Sequence, residues 1–344
     1  MYKRQGPYVA SFEDAFARYT QTSGAVSCSS GTTALHLALA AAQIQPGDEV
    51  IVPSFTWVAS VNAILYLGAV PVLCDIDLDT YALCPLALEQ AITKRTKAVM
   101  AVHLFGGAAP MKTIMEIAAQ HELFVIEDAA CALGTVIDGR HAGCIGDFGT
   151  FSFHPRKVIT TGEGGMVTAA DQSGLETLRA LRNHGITPNG TIAHLGFNYR
   201  LSDVQGAIGV GQLELLPNFL RARNAQAIHY QSKLKDVPEL ITPSVMRGTT
   251  HAFQAYVCRL TTGGAERRDQ LMKALATEGI QTRPGTHAVH RLEWHQAHLE
   301  FDAGQLTQSG IAHDQTLALP IFPGLSEADQ DHVIEALKQA LNHS

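Results

Sequence analysis

Lys157 stands in the run Phe151-Ser152-Phe153-His154-Pro155-Arg156-Lys157-Val158-Ile159, and after Thr160 comes the glycine-rich turn Thr161-Gly162-Glu163-Gly164-Gly165. An amine that must form an imine with an aldehyde needs a rigid, partly desolvated setting, which a flexible surface lysine rarely has. Phe151, Phe153, Val158 and Ile159 offer that burial. Taken alone, the segment reads equally well as an ordinary lysine beside a hairpin.

Three further groups suit the same chemistry. Ser30-Gly31-Thr32-Thr33 opens the apolar helix that runs from Ala34 to Ala42, so backbone N–H groups, hydroxyls and the helix dipole can meet at a phosphate. Asp128 follows Leu123-Phe124-Val125-Ile126-Glu127 and ends an apolar strand, where a carboxylate can hold a protonated ring nitrogen. Trp57, in Pro53-Ser54-Phe55-Thr56-Trp57, can cover a planar ring. Each also has a plain reading, as a capped helix, a structural acceptor and a core tryptophan. Together with Lys157 they are the four parts of a pyridoxal phosphate site: phosphate cradle, acid, aromatic cover and lysine.

The elements that must position these groups alternate along the chain. Ser11 with Asp14 reads as a helix cap, and Phe12, Ala15, Phe16 and Tyr19 fall on one helical face behind it. Strand and helix signals then alternate: 49–53, 57–67, 71–75, 85–94, 98–102, 111–121 and 123–126. Strands rich in Val and Ile between helices predict a largely parallel sheet covered on both faces, with ligands gathered at the carboxyl ends of its strands. Helices are predicted over 174–183 and 202–216, and Pro217 marks a long connection into a second unit. That unit holds a strand over 254–260, a helix over 265–278 ended by Gly279, and a terminal helix opened by Ser326 with Asp329.

The 344 residues suit one large and one smaller domain. With 46% hydrophobic and 17% charged residues, the composition is that of a compact α/β enzyme rather than a disordered chain. A net charge of −7 with pI near 6.1 gives no basic field to draw nucleic acid or an anionic membrane. The start Met1-Tyr2-Lys3-Arg4-Gln5 has basic residues with no apolar stretch after them, and no run is long enough to span a bilayer, so a cytoplasmic protein is expected. Cys28, Cys74, Cys84, Cys131, Cys144 and Cys258 show no paired spacing and read as free thiols. His287, His290, His295 and His298 lack a tetrahedral ligand set, so no metal is expected.

Seven short blocks recur in order: Ser30-Gly31-Thr32-Thr33-Ala34-Leu35, Pro53-Ser54-Phe55-Thr56-Trp57, Glu127-Asp128-Ala129-Ala130, Ser152-Phe153-His154-Pro155-Arg156-Lys157, Thr161-Gly162-Glu163-Gly164-Gly165, Arg182-Asn183-His184-Gly185 and Gly196-Phe197-Asn198-Tyr199-Arg200. In them the chain resembles the DegT/DnrJ/EryC1/StrS sugar aminotransferases, from Gly6-Pro7-Tyr8-Val9 to Leu319-Pro320 and the terminal helix. The resemblance implies a fold-type I pyridoxal-phosphate enzyme with a mostly parallel seven-stranded sheet covered by helices. Residues 1–217 would form the large cofactor-binding domain and 218–344 a small α/β C-terminal domain. It further implies that Lys157 carries the cofactor as a Schiff base, Asp128 pairs with the pyridine nitrogen and Trp57 stacks on the ring. Thr32, Thr33 and Ser152 would hold the phosphate, and Asn198 would reach the phosphate of a neighbouring subunit, which implies a homodimer with shared active sites. The sequence departs from the family at Cys131, where Gln or His usually lies beside the ring. Relatives also usually carry a further segment before Gly6, one that helps position substrate.

Arg283-Pro284-Gly285-Thr286-His287-Ala288-Val289-His290 resembles the C-terminal block of the perosamine-synthase-like branch, which aminates 4-keto nucleotide sugars. The expected reaction moves the amino group of L-glutamate to a nucleotide-linked keto sugar, with Lys157 as base and acid in turn. Arg200, Arg182 and Arg283 are candidate partners of a pyrophosphate, with surface ion pairs as the plain alternative, and His154 and His287 are candidate substrate contacts. The alternatives are a pyridoxal-phosphate lyase or aldolase on the same fold and a regulatory protein that binds the cofactor without turnover. The family's sugar dehydratases are disfavoured by Lys157, since they carry histidine there. A nicotinamide dehydrogenase is disfavoured because no G-x-G-x-x-G follows a strand.

Overall fold

In a computed structural model, which describes residues 6–342, the chain folds around one seven-stranded sheet. The basic start Met1–Gln5 lies outside the described residues. The strand order is Ala25–Cys28, Gly165–Ala169, Phe148–Ser152, Phe124–Asp128, Thr96–Val102, Glu49–Pro53 and Val70–Cys74. The last five strands are mutually parallel, and the first two are joined antiparallel at one edge. The fold-type I expectation holds. Runs such as Glu49-Val50-Ile51-Val52-Pro53 are buried along their whole length, as strands must be when helices cover both faces. Two apolar clusters form: Leu37, Val52, Met100 and Ile126 belong to one, and Ile51, Val99, Val125 and Ile114 to the other. Alternate residues of one strand feed opposite clusters, which is the period of two made physical.

A second, antiparallel sheet runs Leu240–Ile241, Tyr256–Leu260, Thr316–Leu319, Arg283–Pro284. Helices Ala265–Thr277 and Glu327–Asn342 share an apolar cluster with it, through Leu271, Leu275, Val333 and Leu337. The helix expected over 202–216 does not end at Pro217. Helix Asp203–Leu234 carries Pro217 in its interior, with Leu213 and Leu216 packed in the large-sheet cluster and Ala227, Tyr230 and Leu234 in that of the second sheet. Packing on both sides of the proline holds the helix through the one backbone bond that the ring removes.

The first helix also differs from expectation. It spans Pro7–Thr20 with Gly6 as its cap, and Ser11 lies inside it, its hydroxyl donating back to the Pro7 carbonyl at 2.9 Å. Proline at the first helical position explains the earlier start. Asp203 Oδ1 accepts from the backbone N–H of Tyr8 at 2.9 Å and Val9 at 3.0 Å, so two of the first turn's unpaired donors are met from helix Asp203–Leu234. The terminal helix starts as expected: Ser326 Oγ accepts from Asp329 N at 3.1 Å and donates to its carboxylate at 2.6 Å.

Candidate active site

Strand Phe148–Ser152 runs parallel to Phe124–Asp128, with Asp128 opposite Thr150, so the carboxyl ends of both strands open on the same edge of the sheet. Beyond Ser152 the chain makes the loop that carries Lys157. The backbone closes this loop at its base, with Phe153 N donating to Gly164 O at 2.8 Å and Thr161 N to Phe153 O at 3.0 Å. Within it, Lys157 N donates to His154 O at 2.9 Å. Phe153, Val158 and Ile159 are buried and Lys157 is half-buried. The amine thus has the rigid, partly desolvated setting that imine chemistry requires. Its Nζ donates to Cys131 Sγ at 3.1 Å.

Asp128 is 6% exposed at the end of its strand. Oδ1 accepts from Ala130 N at 3.1 Å, and Oδ2 accepts from Ser60 Oγ at 2.8 Å. Ser60 Oγ lies 3.1 Å from Thr56 Oγ1, and both hydroxyls are fully buried. Since the single proton of Ser60 goes to the carboxylate, the Thr56 hydroxyl must donate to Ser60, which makes a directed chain Thr56 to Ser60 to Asp128. A carboxylate can accept about four such bonds, so room remains for a ring N–H.

The N-terminus of helix Gly31–Ala41 meets the same edge. A side chain at position 31 would bring its Cβ within 2.7 Å of Ser152 Cβ, so only glycine lets helix and strand end approach this closely. Ser30 and Thr33 form a capping box in which Thr33 N donates to Ser30 Oγ at 3.1 Å and Ser30 N donates to Thr33 Oγ1 at 2.9 Å. The cap occupies the Thr33 hydroxyl and N–H, whereas the Thr32 hydroxyl makes no hydrogen bond among the described residues. Gly31 and Thr32 present first-turn N–H groups that have no partner inside the helix, beside Ser152. This cradle has donors for a phosphate, the carboxylate of Asp128 has room for a ring N–H, and the Lys157 loop follows the end of the neighbouring strand. The residues fit pyridoxal phosphate.

Trp57 follows Thr56 and is 59% exposed, its ring 5.9 Å from that of His287. The contact comes from a two-stranded ladder in which His287–Ala288 pairs antiparallel with Phe55–Thr56. His290 Nδ1 lies 2.7 Å from Ser54 Oγ, and Val289 N donates to Ser54 O at 2.7 Å. Burial pushes the His290 imidazole down to about 4. The C-terminal segment is thereby stitched to the residues around Trp57.

The remaining candidates divide. His154 sits at the outer side of the lysine loop, Nδ1 accepting from Arg156 N at 3.2 Å and Nε2 3.8 Å from Glu163. Arg200 donates to Asn183 Oδ1 at 2.8 Å, and Asn198, exposed, is bridged to Asn183 through the backbone. Arg283 is exposed on a two-residue strand beside Ala318. Arg182 is ion-paired, but in the interior rather than at the surface: it is buried against Glu13 and donates to Ser27 O at 2.7 Å, so it is spent on the fold.

Four positioning residues escaped sequence reasoning. Thr56 and Ser60 are hydroxyls in otherwise apolar surroundings, and only the buried carboxylate gives them a role. Glu127 precedes Asp128 and so points to the other face of the strand. It accepts from Gly143 N at 2.8 Å, Ile145 N at 2.6 Å and Gly146 N at 2.7 Å. His103 Nδ1 accepts from Ala109 N at 3.0 Å, which leaves the proton on Nε2 to reach Glu127 at 2.9 Å. Burial pushes the Glu127 carboxyl up, but the His103 bond and the N–H groups of Gly146 and Ile145 outweigh it and hold the group below the ordinary range. The pair locks the strand end that carries Asp128.

Comparison with known proteins places the chain in a family. The family model described as the DegT/DnrJ/EryC1/StrS aminotransferase family matches residues 1–338. GDP-perosamine synthase of Caulobacter vibrioides is 45% identical over 98% of this chain and 91% of its own length. Among solved structures, S. venezuelae DesV in complex with a ketimine intermediate is 37% identical with a TM-score of 0.91, over 97% of this chain and 89% of that one. The sugar aminotransferase Spr1654 of Streptococcus pneumoniae, described as putative and seen in its PMP form, is 28% identical with a TM-score of 0.94, over 98% and 91% of the two chains. The chain belongs to the DegT/DnrJ/EryC1/StrS aminotransferase family and is a pyridoxal-phosphate-dependent sugar aminotransferase.

Proposed function

We propose that the chain transfers the amino group of L-glutamate to C4 of a nucleotide-linked 4-keto-6-deoxy sugar, a GDP-linked one before others. The observation that carries the reading is the 45% identity to a GDP-perosamine synthase over 98% of the chain, in a protein whose Lys157 and Asp128 stand at one sheet edge. When bound, pyridoxal phosphate holds the amino group between the two half-reactions and accepts the electron pair left at the reacting carbon. Everything else falls to the protein. Lys157 Nζ takes the proton from the donor's Cα and later returns a proton to the sugar carbon, base and acid in turn. Asp128, fixed by Ser60 and Ala130, holds the proton of the ring nitrogen. Gly31, Thr32 and Ser152 bind the phosphate, with Thr33 shaping the turn. Trp57 covers the ring, and Cys131 stands beside the amine.

His287, next to Trp57, contacts the sugar, and His154, Arg200 and Arg283 are the groups available to its nucleotide end. Asn198 serves the site of a second subunit, so the working form is a homodimer. Leu195, three residues away and 92% exposed, supports a covered face there. No helix among the described residues is long and apolar enough to cross a membrane, and we place the reaction in the cytoplasm, supplying an aminosugar for a polysaccharide such as lipopolysaccharide.

The test is mass spectrometry of products from a panel of GDP-, UDP- and dTDP-linked keto sugars with glutamate. Amino sugar and 2-oxoglutarate are expected in equal amounts. Release of an aldehyde or ammonia without 2-oxoglutarate would move the chain to the lyases.

A further inference from the structure

Cys131 stands beside the amine of Lys157, and the fold gives that pairing a chemical meaning. Cys131 Sγ and Lys157 Nζ are 3.1 Å apart, on two segments that the backbone holds independently: the turn after Asp128, closed by Ala132 N to Ala129 O at 2.9 Å, and the lysine loop. Both side chains are half-buried, within reach of a small solute. The other thiols are less suited to oxidation. Burial pushes Cys28 up to about 11, Cys74 to about 12 and Cys144 to about 12, which leaves little thiolate. Cys258 is fully buried, and Cys84 has no amine bonded to it among the described residues.

We propose that Cys131 and Lys157 form an oxidation-sensitive pair that a hydroperoxide closes into a sulfur–nitrogen cross-link. In the first step the peroxide O–O bond breaks. One oxygen joins the Cys131 sulfur as a sulfenic acid, oxidising it by two electrons, and the other leaves as water. In the second step Lys157 Nζ attacks that sulfur, the S–N bond forms, the S–O bond breaks, and the hydroxyl departs as water with a proton from the amine. The protein loses two hydrogens in all. A dithiol reverses the change, reducing sulfur back to the thiol and freeing the amine as the dithiol becomes a disulfide. While closed, the link removes the amine on which turnover depends. Its regulatory consequence rests on the reading of Lys157 as the cofactor lysine; the chemistry itself needs only the contact.

The experiment treats the purified holoenzyme, with and without L-glutamate to free the lysine, with hydrogen peroxide. One portion is digested without reductant and the other is first reduced with borohydride, and both are mapped by mass spectrometry. Expected in the glutamate sample is a joined peptide pair holding Cys131 and Lys157, lighter by two hydrogens than the sum of the two, lost on dithiothreitol and absent from Cys131→Ser. If in the glutamate sample Cys131 is instead unmodified or a stable sulfinic acid with Lys157 free, while borohydride fixes the cofactor on Lys157 in the sample without glutamate, the proposal falls and the functional reading stands. If borohydride fixes the cofactor elsewhere, the functional reading falls, and the presence or absence of the joined peptides still decides the proposal.

Discussion

The chain from Thr56 through Ser60 to Asp128 makes a quantitative prediction. Ser60→Ala removes a hydrogen bond to a buried carboxylate, and bonds to charged groups contribute about 1.5–3 kcal/mol. Thr56→Val keeps the β-branched shape and removes a neutral hydroxyl bond, at about 1 kcal/mol. In Ser60→Ala the buried Thr56 hydroxyl also loses its acceptor, so part of the Ser60 cost is the stranding of Thr56. The double variant therefore costs less than the two single changes together, by about 1 kcal/mol. Urea unfolding of the four proteins, stripped of cofactor, measures the coupling from the shifts in midpoint at constant slope. With cofactor restored, Ser60→Ala should also shift the spectral titration of the bound ring, because Asp128 is less firmly held. Additive costs, or a Ser60→Ala loss below about 0.5 kcal/mol, the size of an unremarkable surface change, would refute the directed chain.

Gly31→Ala places a methyl group 2.7 Å from Ser152 Cβ, so a cost of about 1–3 kcal/mol and loss of phosphate affinity are expected, read by equilibrium dialysis of pyridoxal phosphate. Glu13→Gln leaves the buried Arg182 cation without its charge partner and should destabilise the fold by about 3–5 kcal/mol, measured by urea unfolding; an unchanged midpoint would return Arg182 to the list of substrate contacts. Burial holds His290 near 4 and His251 near 3, below their ordinary 6.5. The unfolded chain takes up these protons first, so stability is complete above pH 6.5 and falls as pH drops from there toward 4. His290→Gln should flatten that slope in melting scans between those pH values; an unchanged slope contradicts the assignment.

Much of the site was legible because strand ends and helix starts mark themselves. A Val- and Ile-rich run that stops at Asp128, and a Ser-Gly-Thr-Thr turn before an apolar helix, place a carboxylate and N–H donors at a sheet edge without any knowledge of the fold. What escaped was non-local. The ladder of His287–Ala288 on Phe55–Thr56 joins residues more than 200 positions apart, and nothing in either segment announces the other. Arg182 and Arg200 look alike in sequence; only the fold shows Glu13 beside the first. Glu127 and Asp128 are adjacent carboxylates whose different fates follow from the alternation of a strand, but the N–H groups that hold Glu127 lie 16 to 19 residues further on. Pro217 reads as a break because a helix interior disfavours proline, and packing at Leu216 and Tyr230 overrides that preference.

The most direct test is of the amine at position 157. The holoenzyme is reduced with borohydride, digested and mapped by mass spectrometry. A pyridoxyl phosphate adduct confined to Lys157, absent from Lys157→Ala protein that keeps its fold, is the expected result; an adduct on another lysine, or none, would contradict the assignment of the site.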